Sequence, residues 1–508
     1  MAWPALAAET AIPPEPTVDV TQYLVEGDNP LPESETSALL APFVGPGQSL
    51  TKLENAAEAL EKVLRGKGFA FHRVIVPAQK PEAGIVKLQV LQFTLAKVEV
   101  EGNENFSTEN IRRSLPALEE GKAPDVHRVG RDLAAANANP AKEVRATFKE
   151  GEQPDTVDAQ LKVRDNPPLA YFVGVSGNRA LDAATHKNGD SSYRLTLGVQ
   201  HSNLFDRDQV GMLTYTTDPT QPNAVSQYGV FYQIPIYGTG LSLAAWYTYS
   251  DADSGTINGL SVSGRGQFYG LRATQTLPRL GLAQPTLSLS LEDKHFETSV
   301  AGSPNQPIGT RPVTLRYGLK LDDTWGALGG SIEYAFNTQG GPSNTADVYS
   351  ASNVNFHWSA WRLGVDVAAP VGGWVLSGRV RAQLTQDRLI SGEQFGVGGQ
   401  YSLRGLRDRE ISGDRGVGWN VEALGPQFWI PSLQPVLFVD GAYLSRVGGL
   451  HTGTEGLLSV GAGLRWTWLR RLDTSLDLSR VLDGTAISVP TTSNTGTTRL
   501  NFSVFYRF

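Results

Sequence analysis

An arginine and an aspartate able to meet as a two-pronged ion pair carry the most definite chemistry in this sequence. The arginine is Arg404, in the stretch 395–410, FGVGGQYSLRGLRDRE. Gly396, Gly398, Gly399 and Gly405 stand around it, where a backbone can turn and pack closely, and Arg407, Asp408, Arg409 and Glu410 follow. Taken alone, such a run also fits an ordinary polar surface loop. The aspartate is Asp440, in Phe438-Val439-Asp440-Gly441. Phe438 and Asp440 are two apart and share one face of a strand. A guanidinium and a carboxylate bond through two parallel hydrogen bonds that orient as well as attract. That chemistry holds a loop in place.

Other reactive constellations are missing. There are no cysteines, which removes disulfide frameworks, zinc–thiolate sites and thiol nucleophiles together. The histidines (His72, His127, His186, His201, His295, His357, His451) are scattered without metal-ligand spacing. Gly396, Gly398 and Gly399 do not complete a dinucleotide fingerprint. No phosphate-binding loop is present, and no serine stands in a strand–turn–helix elbow. The expectation is a protein that is not an enzyme and carries no cofactor or metal. A net charge of −7 argues against nucleic acid, whose phosphates want a basic face.

The elements that must position the pair are strands. At 508 residues the chain needs two or more domains, and 54 glycines, 30 prolines and only 19% charged residues favour turns and strands. No run of about 18 apolar residues occurs, so a closed β-barrel is the remaining way to span a bilayer. From residue 167 onward, two-residue alternation dominates. It is clearest at the end, where Leu500, Phe502, Val504, Tyr506 and Phe508 form one face and Arg499, Asn501, Ser503 and Arg507 the other, Phe505 excepted. Similar strands are read at 193–200, 241–249, 286–291, 331–336, 361–367, 418–424 and 458–466. Trp246, Tyr247, Tyr249, Trp466 and Trp468 fall near strand ends, where aromatic girdles sit. The alternation fits a lipid face and a wet lumen, with a soluble β-sandwich as the alternative. The length accommodates about 16 strands of roughly 10 residues.

Upstream lie two copies of a unit of about 75 residues, ordered strand-helix-helix-strand-strand. In the first, Thr51 and Glu54 have capping-box spacing. Leu53, Ala56, Ala57, Leu60, Val63 and Leu64 then follow a helical stripe that Gly66 and Gly68 end. In the second, Ser107 and Asp125 are read as helix caps. The expected domains are residues 18–92, 93–166 and a barrel over 167–508 with an inward-folded loop at 395–415. Residues 1–17 are read as a signal remnant and linker. Ala5, Leu6, Ala7 and Ala8 resemble the small-residue end of a secretory signal, a chance cluster being the alternative.

This combination resembles the outer-membrane transporters of two-partner secretion, of the haemolysin/haemagglutinin-exporter type within the barrel-assembly superfamily. The repeats are similar to paired periplasmic POTRA domains. Lys67-Gly68-Phe69 with the strand ending Pro77-Ala78-Gln79 resembles the pattern of the first, and Asn137-Ala138-Asn139-Pro140 that of the second. Asn203-Leu204-Phe205-Asp206-Arg207-Asp208 looks like the family's short turn after an early strand. Residues 399–406 resemble the sixth-loop motif, which ends in Arg-Gly-aromatic, with Leu406 in place of the ring. Phe438-Val439-Asp440-Gly441 resembles Phe-x-Asp-x-Gly, with the glycine one residue early.

The resemblance implies a translocation pore that exports a partner exoprotein in unfolded form, captured by the POTRA domains. It implies Arg404 and Asp440 as a loop-to-wall pair, supported by Gly398, Gly399, Gly405, Phe438 and Gly441. It also implies contact with outer-membrane lipid and lipopolysaccharide, and with the barrel-assembly machinery through the C-terminal Phe508. The family often carries a plug helix, and Pro13 and Pro14 interrupt the segment where one would lie. An assembly insertase from the same superfamily, or a passive porin-like channel, is the alternative function.

Overall fold

The computed structural model describes residues 17–181, 191–220, 222, 226–250, 254–257, 260–263, 265–297, 307–448, 454–469, 471–484 and 495–508. Of the segment read as a signal remnant and linker, residues 1–17, the first sixteen lie outside them, and Thr17 opens the first strand. Two compact units emerge. The smaller comprises Met1–Asn103, Ile111–Ala136 and Glu143–Arg164, and the larger Glu104–Asn110, Asn137–Lys142 and Asp165–Phe508.

The first repeat runs β1 (Thr17–Val20), β2 (Gln22–Gly27), α1 (Glu33–Leu40), β3 (Gly45–Ser49), α2 (Leu50–Gly66), β4 (His72–Ile75) and β5 (Ile85–Gln92). Strand β5 lies between β2, which is parallel to it, and antiparallel β4, and β1 pairs with β3. Helix α2 exists because its apolar residues recur at three- and four-residue spacing. Leu53, Ala56, Ala57, Leu60 and Leu64 are buried with Val86, Leu88 and Val90 of the sheet in one cluster. The capping box expected at Thr51 does not form. The helix already begins at Leu50, and Ser49, which precedes it, makes no side-chain cap bond. Thr51 therefore sits inside the first turn, too late to cap it.

The second repeat runs β6 (Thr94–Glu101), α3 (Thr108–Ser114), α4 (Val126–Ala136), β7 (Lys142–Glu150) and β8 (Thr156–Asp165), with β8 between β6 and β7. Here both expected caps form. The Asn110 N–H donates to Ser107 Oγ at 3.0 Å, and the His127 and Arg128 N–H groups donate to Asp125 Oδ1 at 2.8 and 3.1 Å.

In the larger unit sixteen antiparallel strands close into a barrel. They are β9 (Leu169–Ala180), β10 (Ser191–Leu204), β11 (Gln209–Thr217), β12 (Ser226–Ile236), β13 (Leu241–Ser250) and β14 (Gly266–Thr276). Then come β15 (Ala283–Phe296), β16 (Ile308–Asp323), β17 (Gly326–Thr338), β18 (Ser359–Val371) and β19 (Trp374–Leu384). The last five are β20 (Arg415–Leu424), β21 (Leu433–Ser445), β22 (Thr454–Trp468), β23 (Leu472–Gly484) and β24 (Thr498–Arg507). Each pairs with its successor, and β24 pairs with β9 to remove both edges. Among the described residues, no helix is long and apolar enough to cross a membrane.

The two-residue period decides what each wall residue meets. On β21, Val436, Phe438, Asp440, Ala442 and Leu444 are buried inside, while Leu437 and Tyr443 are more than half exposed outside. Outward leucines recur on strand after strand, such as Leu213, Leu243, Leu271, Leu289, Leu315 and Leu478. Tyr247, Trp466 and Trp468 share that outer face. Trp246, expected in the girdle, does not: its parity turns it inward, where it is buried and lies under the Arg272 guanidinium, 5.0 Å from the ring. A short glycine at position 270 leaves room for its indole, since a Cβ there would come within 2.0 Å of it.

Candidate functional site

Between β19 and β20 the chain makes a long excursion, residues 385–414. Phe395–Val397 pairs with Ile411–Gly413 to form its stem, so residues 398–410 are carried as a unit at the end of a two-stranded ribbon. The tip turns because Gly398 and Gly405 adopt φ of +124° and +105°, which a side chain disfavours. A Cβ on Gly398 would also approach the Arg407 carbonyl oxygen to 2.1 Å. Leu403 and Leu406 flank the arginine and are buried with Ala442 and Leu444 of β21, Leu457 of β22 and Val481 of β23. Leu406 thus occupies an apolar seat on the barrel wall where the family motif carries a ring.

Arg404 is 2% exposed and Asp440 is fully buried. Arg404 Nε and Nη2 donate to Asp440 Oδ2 and Oδ1 at 2.7 and 2.6 Å, and the Arg404 backbone N–H adds a bond to Oδ2 at 3.0 Å. The remaining nitrogen, Nη1, lies 2.6 Å from Glu422 Oε1 on β20 and 3.7 Å from Asp477 Oδ2 on β23. The guanidinium carbon stands 3.4 Å from the centroid of the Phe438 ring. Phe438 and Asp440, two apart on one strand, therefore supply a π-face and a carboxylate to the same cation. Asn420 donates to Asp440 Oδ1 at 3.0 Å and also to the Ser402 carbonyl. A lone buried arginine would be costly. Here every side is answered by a carboxylate or a ring.

Sequence reasoning named Arg404, Asp440 and Phe438, which meet, and Gly398, Gly399 and Gly405, which turn the tip through positive φ. Gly441 does not join them. It lies on the outer face of β21, against the Trp419 indole, where a Cβ would come within 2.4 Å of the ring. The inward position that the motif's glycine would hold belongs to buried Ala442. Glu422, Asn420 and Asp477 were missed, as was Arg465, whose two nitrogens bond Asp477 at 2.6 and 3.0 Å. A usable signal was present. A charged residue alternating with leucines, as in Leu472-Asp473-Thr474-Ser475-Leu476-Asp477-Leu478, must face the lumen.

Further bonds seat the tip across the lumen. Gln400 Nε2 donates to Ser475 Oγ at 2.7 Å, Arg194 of β10 approaches Asp408 at 3.3 Å, and Arg499 of β24 donates to the Gly405 carbonyl at 3.3 Å. Arg499 also donates to Asn178 of β9 at 2.8 Å. Chemically the arrangement clamps; it holds no nucleophile–base pair. Among the described residues, no group of His, Asp and Glu could hold a metal ion.

The two other motif segments also meet each other, within the larger unit. Lys142 Nζ donates to Asp208 Oδ2 at 2.8 Å and to Asn110 Oδ1 at 2.9 Å, with its side chain wholly buried. Burial pushes the Lys142 ammonium below the ordinary lysine range, and Asp208 opposes that shift. Asn139 donates to the Ser202 carbonyl at 2.7 Å, and Tyr237 donates to Asp208 at 3.0 Å. Ser107 donates to Asp206, and Asn110 donates to the Asp206 carbonyl at 3.0 Å. The first short turn of the barrel is thus held by polar groups of 104–110 and 137–142.

Comparison with known proteins places these features. Residues 174–466 match the family model described as haemolysin secretion/activation protein ShlB/FhaC/HecB, and residues 18–92 match the ShlB-type POTRA domain. The outer membrane transporter CdiB of Escherichia coli O6:K15:H31 (strain 536 / UPEC) is 22% identical over 481 residues, covering 89% of this chain and 77% of the relative. CdiB of Dickeya dadantii (strain 3937) is 20% identical over 431 residues, covering 82% and 74%. Among solved structures, CdiB from Escherichia coli superposes with a TM-score of 0.78 at 17% identity, covering 99% of this chain and 93% of that one. CdiB from Acinetobacter baumannii gives 0.75 at 18%, covering 98% and 91%. At such identities the superpositions speak for the fold.

Proposed function

The chain belongs to the haemolysin secretion/activation family of two-partner secretion transporters, and from that premise we propose that its barrel is an export pore for one partner exoprotein. It is an outer-membrane protein with its POTRA repeats in the periplasm. In this reading the repeats capture the exoprotein unfolded. Their three-stranded sheets have open outer strands, which suit the addition of an extended segment through main-chain bonds. The chain then passes through the lumen, and folding outside makes the step directional. The outward apolar band meets outer-membrane lipid and lipopolysaccharide. Phe508, exposed after the last strand, is the residue the barrel-assembly machinery reads during insertion.

The observation that carries this reading is the Arg404–Asp440 clamp, an inward loop bonded to the wall of a barrel that follows a POTRA-type domain. The loop is held in a secretion-competent position rather than left to wander. The test is co-expression with the large open reading frame beside the gene, scoring its product in the medium. Arg404→Ala should reduce release while the barrel still inserts, and unchanged release would defeat the assignment. Deleting residues 18–166 should stop release of that one protein. A general disturbance of the outer membrane would instead indicate an assembly factor.

A further inference from the structure

The loop that carries Arg404 also carries a buried acid, Glu393, which the clamp does not use. Glu393 closes a short 3-10 turn (Ser391–Glu393) on the limb rising from β19, and it is 3% exposed. Its Oε1 receives Lys294 Nζ of β15 at 3.0 Å, and its Oε2 receives Arg362 Nη2 of β18 at 2.7 Å. The seat is braced. Arg362 Nε donates to Gln383 Oε1 at 2.9 Å, and the Gln383 amide donates to the carbonyls of both Glu393 and Asp414, each at 2.9 Å. That one amide ties the two limbs of the loop together where they leave the wall. The turn itself rests on Phe296, whose ring lies where a Cβ on Gly392 would stand.

The two seats have opposite polarity. Inward positions of β20–β23 carry Glu422, Asp440, Asp473 and Asp477, with Arg465 paired to Asp477. Inward positions of β14–β19 carry Arg272, Lys294, Arg316, Arg362, Arg379 and Arg381, with Glu292, Glu333 and Asp366 among them. A basic tip belongs on the first arc and an acidic limb on the second. Sliding the loop to a neighbouring position would set like charges together, which is costly where water is scarce. A buried ion pair adds little to stability over apolar residues of the same size, but it can select one arrangement among several.

We propose that Glu393 is a second positioning residue for the inward loop, acting separately from Arg404, so that the loop leaves the lumen only when both seats have been released. This rests on the reading of the barrel as an export pore, and it takes the loop, seated in the lumen at rest and ready for secretion, as the element that closes that pore until cargo arrives. Single-channel conductance of the purified full chain in planar lipid bilayers, without exoprotein, tests it. Glu393→Gln should raise the fraction of time open about tenfold, the change expected for a seat weakened by 1.4 kcal/mol. Glu393→Asp, which keeps the charge, should restore most of the closure, a rescue that a merely space-filling role would not give. Arg404→Ala should also open the pore, and the two variants together should multiply.

If Glu393→Gln and the pair Lys294→Gln, Arg362→Gln both stay as closed as the parent while Arg404→Ala opens, Glu393 has no such role and the pore reading stands. If none of them opens, the reading of the loop as the closing element falls as well. Should Glu393→Gln fail to fold, judged by loss of heat-modifiable migration, Lys294→Gln and Arg362→Gln singly decide the matter: opening supports the seat, and parental closure overturns it.

Discussion

Two parts of this molecule reach the same degree of burial by different physics. In the first repeat, Leu60, Leu64, Val86 and Leu88 are fully buried in one hydrophobic cluster. In the barrel, Arg404 and Asp440 are equally hidden, yet both are polar side chains bonded to each other. The repeat is held by area removed from water, which is non-directional and tolerant of repacking. The loop adds direction to a small apolar seat under Leu403 and Leu406, through hydrogen bonds with fixed angles between named atoms. The first arrangement stabilises a fold, and the second fixes a position.

That contrast can be broken at several points. The largest effect is expected from Asp440→Ala, which strips the Arg404 guanidinium of two of its side-chain bonds and leaves a buried cation under-compensated, at about 3–5 kcal/mol. Protease access to residues 398–410 in the folded barrel should rise sharply. A double-mutant cycle with Arg404→Ala should show strong coupling, because once one partner is gone the second substitution costs little. Leu60→Ala should cost about 2–5 kcal/mol in the first repeat, through lost contacts and the cavity left behind. Limited proteolysis of the full chain should then release that repeat while the barrel keeps its heat-modifiable migration.

Comparable in size, but away from the loop, is Lys142→Met, which keeps the volume but leaves Asp208 without its cation. We expect a loss of about 3–5 kcal/mol in the hold on residues 203–208, since one partner of a buried pair is removed. Hydrogen exchange at 203–208 should quicken while loop protection at 398–410 is unchanged. The smallest effect belongs to His72. Burial holds its imidazole below the ordinary histidine range, with Asp28 acting the other way. The unfolded chain therefore takes up the proton first, near pH 6.5. Stability of the first repeat should be level above that value and fall as pH drops through it toward the depressed folded value. His72→Phe should flatten this dependence.

How much was legible in the sequence follows the same divide. The helix over Leu50–Gly66 and the strands of the barrel announce themselves by period, because apolar burial repeats with backbone geometry. The last strand could be assigned side by side, inside and outside, from Leu500, Phe502 and Val504 against Arg499 and Asn501. Position along a strand is weaker evidence than parity. Trp246 was assigned to a girdle because it sits near a strand end, but its neighbours in the alternation turn it into the lumen. The Thr51 cap failed because capping depends on where the helix starts, and propensity does not fix that to one residue.

The charged site was legible only where a motif marked it. Arg404 and Asp440 came from residue types in a known pattern, while Glu422 and Asp477 reach Arg404, and Glu393 reaches Arg362, only once strands far apart in sequence are closed into a barrel. No local spacing reports such a meeting. Gly441 shows the limit of the motif. It was named through the resemblance to Phe-x-Asp-x-Gly although it comes one residue early, and strand parity puts it on the other face from Asp440.

The central claim is that Asp440 keeps the arginine-bearing loop seated inside the barrel, and the absence of native cysteines allows a clean measurement. Gln400 and Ser475 meet at 2.7 Å across the loop and the wall. Cysteines at these two positions should be joined rapidly and almost completely in the inserted protein by a short bifunctional thiol cross-linker that spans the length of the lost glutamine side chain, and about tenfold more slowly when Asp440→Ala is added. Failure to cross-link in the parent background, or cross-linking at an equal rate without Asp440, would contradict it.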